Sequence, residues 1–86
     1  MRTIERTSQF KKDFKRLPRD IQSKLPTVLE RFLSNPRHPS LHAKKMEGVR
    51  DIWELRVTDN YRVTFQFVQE GVLLRRIGTH NVLRQP

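Results

Sequence analysis

The chain has 86 residues, 35% of them hydrophobic, no cysteine, and a formal net charge of +9. This length suits one small domain over residues 1–86 with a compact core, and the lack of cysteine excludes a disulfide framework or a Cys-based zinc site. No stretch approaches the roughly 20 apolar residues of a membrane span, and residues 1–6 lack the apolar run of a secretory signal, so a cytoplasmic location and no membrane partner are expected.

Residues 3–6 form a weak candidate for a short first strand. Ser8 suits an N-cap for a helix over residues 9–17, with Phe10, Phe14 and Leu17 on one face. Pro18 ends that helix or starts the next. In the second helical segment Ile21, Leu25, Val28, Leu29, Phe32 and Leu33 form one stripe. Pro26 removes a backbone donor there and predicts a kink or a restart, and Asn35-Pro36 ends the segment. Residues 35–48 read as irregular.

The pattern then changes to period 2. Trp53, Leu55 and Val57 alternate with Glu54 and Arg56. Tyr61, Val63, Phe65 and Phe67 alternate with Arg62, Thr64 and Gln66, and a last strand covers residues 72–77. Thr58-Asp59-Asn60 and Gln69-Glu70-Gly71 supply the turns. The expected fold is α+β: a short N-terminal strand and two helices packed on one face of a twisted antiparallel sheet. The helices should cover the aromatic face, including Tyr61 and Phe67. Glu54, Arg56, Arg62 and Arg76 then fall on the other face. With Ile77 in the core and Arg76 beside the other arginines, Arg75 sits awkwardly, which a bulge would relieve.

The positive charge is not a detachable tail. Residues 1–34 hold nine Lys/Arg against four Asp/Glu, and residues 35–86 hold nine against five. Such a field attracts polyanions, either nucleic acid or an acidic protein segment. Guanidinium forks from Arg56, Arg62 and Arg76 suit phosphate oxygens. Arginine stabilises a phosphorane but donates protons poorly at neutral pH, whereas histidine serves as acid or base. His80 follows the last strand directly and is the best-placed imidazole. His42 lies beside Lys44 and Lys45 in the irregular connection, while His38 reads as solvated loop. Arg62, Arg76 and His80 would suffice for RNA cleavage if a base lies nearby, with His42 and Glu54 as candidates. No metal site, cofactor motif or glycine-rich phosphate loop is present in the sequence.

Trp53-Glu54-Leu55-Arg56-Val57, Tyr61-Arg62-Val63-Thr64-Phe65 and Arg76-Ile77-Gly78-Thr79-His80 resemble the RelE/ParE toxin superfamily. The ending Ile77-Gly78-Thr79-His80-Asn81-Val82-Leu83 is most similar to the YafQ-like, RelE-like branch of mRNA interferases. The resemblance implies a RelE-like, microbial-RNase-like fold and the toxin of a type II toxin–antitoxin pair. It further implies a ribosome-dependent, metal-independent mRNA endoribonuclease that inhibits translation. The implied catalytic residues are Arg62, Arg76, His80 and His42, and Lys44, Lys45, Arg56 and Arg84 would meet RNA or the ribosome. A cognate antitoxin and ribosome-bound mRNA are the implied partners, with no small-molecule cofactor. The chain departs from the YafQ-like pattern where Trp53 or Arg56 stands for a histidine, and where Arg84 stands for an aromatic residue. Two alternatives follow: a ParE-like DNA gyrase inhibitor without a nuclease site, and a non-catalytic RNA-binding module. The latter would need stacking aromatics on an open face.

Overall fold

Thr7, not Ser8, caps the first helix. Its Oγ1 accepts the Phe10 N–H at 3.0 Å and donates to the Arg75 carbonyl at 2.7 Å. One hydroxyl thus caps α1 (Ser8–Lys15) and ties it to the last strand. The computed structural model describes residues 3–86.

α2 (Arg19–Ser34) runs unbroken past Pro26, so the expected restart does not occur. The proline leaves the Gln22 carbonyl without its helical donor, a cost of about 3 kcal/mol. Pro26 itself is exposed, while Ile21, Leu25, Val28, Leu29 and Phe32 are all buried. Each large apolar side chain buried returns about 1.5–3 kcal/mol, so the stripe outweighs the lost bond. Residues 35–48 contain a 3-10 turn over Pro39–Leu41 and a strand of two residues, which the sequence did not suggest.

The strands are β1 (Thr3–Arg6), β2 (Lys44–Lys45), β3 (Trp53–Arg56), β4 (Arg62–Val68) and β5 (Gly71–Gly78), in sheet order β1-β5-β4-β3-β2. β2 to β5 pair antiparallel, but β1 runs parallel to β5. The sheet is therefore mixed, not wholly antiparallel as the meander suggested. The β1–β5 contact needs a residue without a side chain: a Cβ on Gly71 would lie 1.9 Å from the Thr3 carbonyl oxygen. A second 3-10 segment, His80–Arg84, follows β5. No helix among the described residues is long and apolar enough to cross a membrane.

Phe10, Leu25, Leu29 and Phe32 from the helices meet Leu55, Val63, Phe65, Val72, Leu74 and Ile77 from the sheet in one core. The Phe32 and Phe65 rings cross edge to face at 4.8 Å. Two aromatics depart from the expected core. Tyr61 precedes β4 and is half-buried in a cleft beside Leu17, Pro18 and Val82. Phe67 is 48% exposed, because β3 begins at Trp53, opposite Phe65, and offers β4 no partner beyond it. Its ring still abuts Trp53 at 5.4 Å.

Phe32 is wholly buried, so Phe32→Ala should cost about 3–5 kcal/mol. A urea titration should show a lower midpoint with an unchanged slope; a wild-type midpoint would contradict this packing.

Candidate functional site

The face of the sheet away from the helices carries two polar rows, set by strand register. Lys44 stands opposite Glu54, Glu54 opposite Thr64, and Thr64 opposite Arg76, one residue from each of four strands. The next row is Arg56, Arg62 and Gly78. Directly opposed residues share a face with Cβ atoms about 5 Å apart, so this face sets Lys44, Arg56 and Arg62 beside one carboxylate, with Arg76 two strands away.

Its interior is partly unsatisfied. Glu54 is buried, and no described residue pairs with its carboxylate. Thr64 is fully buried with its hydroxyl unpartnered, and the Arg56 Nε is likewise buried without an acceptor. Unmet buried polar groups cost free energy, and here they share one face of the sheet.

Arg62 and Arg76 are both anchored within the protein. Arg62 is buried, and its NH1 donates to the carbonyls of Thr58, Asp59 and Tyr61 at 2.7, 2.9 and 3.1 Å. It thereby closes the β3–β4 turn. Burial and the neighbouring Arg56 charge push its pKa down, partly offset by Glu54 and Asp59. Arg76 grips Asp13 of α1 through Nε and NH2 at 2.9 and 3.1 Å. That grip raises the Arg76 pKa and leaves its NH1 side turned to the Gln85 carbonyl at 3.3 Å.

Asp13 also accepts the Ile77 N–H at 3.2 Å and the Gln9 amide at 3.0 Å. Burial alone would raise its pKa. The hydrogen bonds from Arg76, Gln9 and Ile77, with the Arg76 charge, together outweigh burial and hold it below the usual value.

His80 is exposed and lies two residues beyond Gly78, the partner of Arg62. Its Cα is therefore within roughly 8 Å of that of Gly78. Val82 folds back onto Gly78: a Cβ there would meet the Val82 Cγ1 at 2.7 Å. The 3-10 segment bearing His80 thus closes onto the polar face only because residue 78 is glycine. His42 lies elsewhere. It has left-handed backbone (φ 46°) and lines a groove with Phe32, Trp53, Phe65 and Phe67, on the helix side of the sheet. The structure does not bring it together with Arg62 and Arg76. Lys45 pairs with Trp53, one residue out of the Lys44 row. Arg84 is exposed in the closing 3-10 segment. Among the described residues, no three His, Asp or Glu side chains could hold a metal ion.

A family model described as the ParE toxin of the type II toxin–antitoxin system, parDE, matches residues 4–83. The chain belongs to the ParE toxin family. A search of curated proteins gives no match. Among solved structures, this ParE-family toxin is similar to a RelB–RelE antitoxin–toxin complex from Methanococcus jannaschii. The identity is 22% and the TM-score 0.75, over 94% of this chain and 95% of that one. It is also similar to the E. coli DinJ–YafQ toxin–antitoxin complex, with 20% identity, TM-score 0.77, and coverage of 95% and 96%. A YoeB/ParE toxin from Agrobacterium tumefaciens shares 14% identity at TM-score 0.75, over 91% of this chain and 98% of that one. At these identities the likenesses establish the shared α+β fold.

Sequence reasoning missed Asp13, although a signal was there. It sits between Phe10 and Leu17 on the apolar face of α1, where a carboxylate has no reason to be unless something binds it. Asp13→Asn should cost about 2–4 kcal/mol at neutral pH, less than a fully buried pair because Arg76 is partly exposed. The lowered Asp13 pKa makes its contribution complete above the unfolded pKa and lost as pH falls through the folded one. Thermal melts over the acid range, from about pH 6 to about pH 2, should therefore converge for wild type and variant at the acid end; parallel curves would contradict the assignment.

Proposed function

We propose that this toxin cleaves mRNA, on the ribosome, by attack of a 2′-hydroxyl on the adjacent phosphorus. The observation that carries this reading is the unpartnered Glu54 carboxylate flanked by Lys44, Arg56 and Arg62, with Arg76 two strands away. Such a carboxylate can take the 2′-proton as the new O–P bond forms. The added charge on the phosphorane falls to Arg56 and Lys44, while the remaining side of Arg76 is held by the Gln85 carbonyl. His80 protonates the departing 5′-oxygen, leaving a 2′,3′-cyclic phosphate and a 5′-hydroxyl. Arg62 contributes positive field and holds the turn, since its NH1 is occupied by backbone carbonyls. Lys45 and Arg84 face solvent and would meet ribosomal RNA. The position of His42 across the sheet leaves the base role to Glu54.

The committed guanidiniums of Arg62 and Arg76 favour a second reading, a ParE-like gyrase inhibitor that acts by protein binding. The two differ in what the polar face must do. Under the nuclease reading, His80→Ala and Glu54→Gln should each abolish cleavage by roughly two to four orders of magnitude in primer extension on ribosome-bound mRNA, while antitoxin binding persists. Intact mRNA with wild-type toxin, alongside inhibited gyrase supercoiling, would establish the alternative.

For the antitoxin we assign the groove between α1 and α2. Phe10, Phe14, Leu25 and Leu29 form its floor, with Arg6, Lys11 and Lys15 among its lining residues, around a volume of about 460 Å³. An apolar floor with a cationic rim complements an acidic amphipathic helix. Lys11→Glu with Lys15→Glu should weaken the complex at least tenfold by calorimetry, and more at low salt; unchanged affinity would move the antitoxin elsewhere.

A further inference from the structure

Thr64 pairs with Arg76 and the next residue, Phe65, pairs with Leu74, so Arg75 is the extra residue of a β-bulge. The bulge turns two consecutive arginines to one face. Arg76 shares the polar row of Thr64, and Arg75 bonds the Gln66 side chain two places along β4 at 2.7 Å. Both also reach the last residues of the chain. The Arg75 Nε donates to the Pro86 carbonyl at 3.0 Å, and the Arg76 NH1 to the Gln85 carbonyl at 3.3 Å. Two adjacent guanidiniums thus hold two adjacent backbone oxygens.

The fit is chemically incomplete. The Gln85 carbonyl oxygen is neutral, whereas the same donor binds an anionic oxygen about twice as strongly. Among the described residues, the Gln85 and Pro86 carbonyls make no other hydrogen bond. Pro86 has no N–H with which to join a ladder. The last buried anchor before them is Val82, while Arg84 and Gln85 are exposed. Asp13 holds Arg76 from the far side, so loss of the carbonyl would leave that guanidinium aimed at the same place.

We propose that Arg75 and Arg76 form a phosphate-binding site occupied internally by residues 84–86, and that the backbone of single-stranded RNA displaces this strap. The site lies at the β5 end of the row that holds Glu54 and extends the polar face by one phosphate. It rests on the RNA-binding reading of that face, but not on cleavage.

The test compares the full chain with a chain ending at Arg84, each with and without Arg75→Gln. The probe is a 2′-O-methyl RNA octamer, which cannot be cleaved, read by fluorescence anisotropy without ribosomes. Shortening should tighten binding roughly threefold to tenfold, the equivalent of one or two net hydrogen bonds no longer in competition. Arg75→Gln should erase most of that gain and lower the slope of log affinity on log salt by about 0.7. Unchanged or weaker binding by a folded shortened chain overturns the proposal, as does a gain that survives Arg75→Gln. If the shortened chain fails to fold, the side-chain Nε–H resonances of wild type decide. Arg75 and Arg76 should both shift as the octamer is added, and a shift of neither overturns the strap. A chain that cleaves no mRNA yet binds more tightly when shortened would end the nuclease reading and keep this one.

Discussion

β1 stops at Arg6, opposite Leu74, so the outer edge of β5 would be bare from there to Gly78. The Asp13 carboxylate fills that gap. It accepts the Ile77 N–H as a neighbouring strand would, and it grips Arg76 with both oxygens. Thr7 does the same one step earlier through the Leu74 and Arg75 carbonyls. The start of α1 thus replaces a missing strand, and the bulge, the arginine pair and the turn into His80 all take their positions from this contact. A carboxylate can do this inside an apolar interface only because four donors meet it there.

The two faces of the sheet divide the work of folding and function. The helix-covered face holds the apolar core and most of the stability. The other face concentrates charge, of which Arg62 and Arg76 are tied into the fold and Lys44 and Glu54 are not. Of the ion pairs among the described residues, only Asp13–Arg76 is substantially buried; Arg50–Asp51 and Arg56–Asp59 are loose contacts at 3.8 Å near solvent. Most of the +9 charge is therefore uncompensated, and its mutual repulsion opposes the fold. A polyanion relieves that repulsion on the polar face. An acidic antitoxin segment relieves it on the helical groove.

The internal bonds of Arg62 and Arg76 bear on how such a site is built. A guanidinium fixed by the protein meets a phosphate in a set orientation and loses less side-chain entropy than a free one. The cost is that some donors are spent on the scaffold. Arg62 spends NH1 on a turn, whereas Arg76 spends Nε and NH2 on Asp13 and turns NH1 to the Gln85 carbonyl. The two arginines, alike in the sequence, are thereby given different duties.

Periodicity by itself determined the helices, the three-strand meander and which face of each strand is apolar, because those depend on spacing within a single element. It also gave Arg56, Arg62 and Arg76 a common face and allowed for the bulge that the strand register shows at Arg75. What it could not reach were relations between elements far apart in the chain. The parallel pairing of β1 with β5, the carboxylate of Asp13 under Arg76 and the strap over Arg75 join residues separated by more than sixty positions or by a reversal of the chain. The burial of Glu54 and the removal of His42 to the opposite side belong to the same class. Neither residue type nor spacing encodes which backbone will arrive alongside, and only the packed chain decides which charges are used up and which stay free.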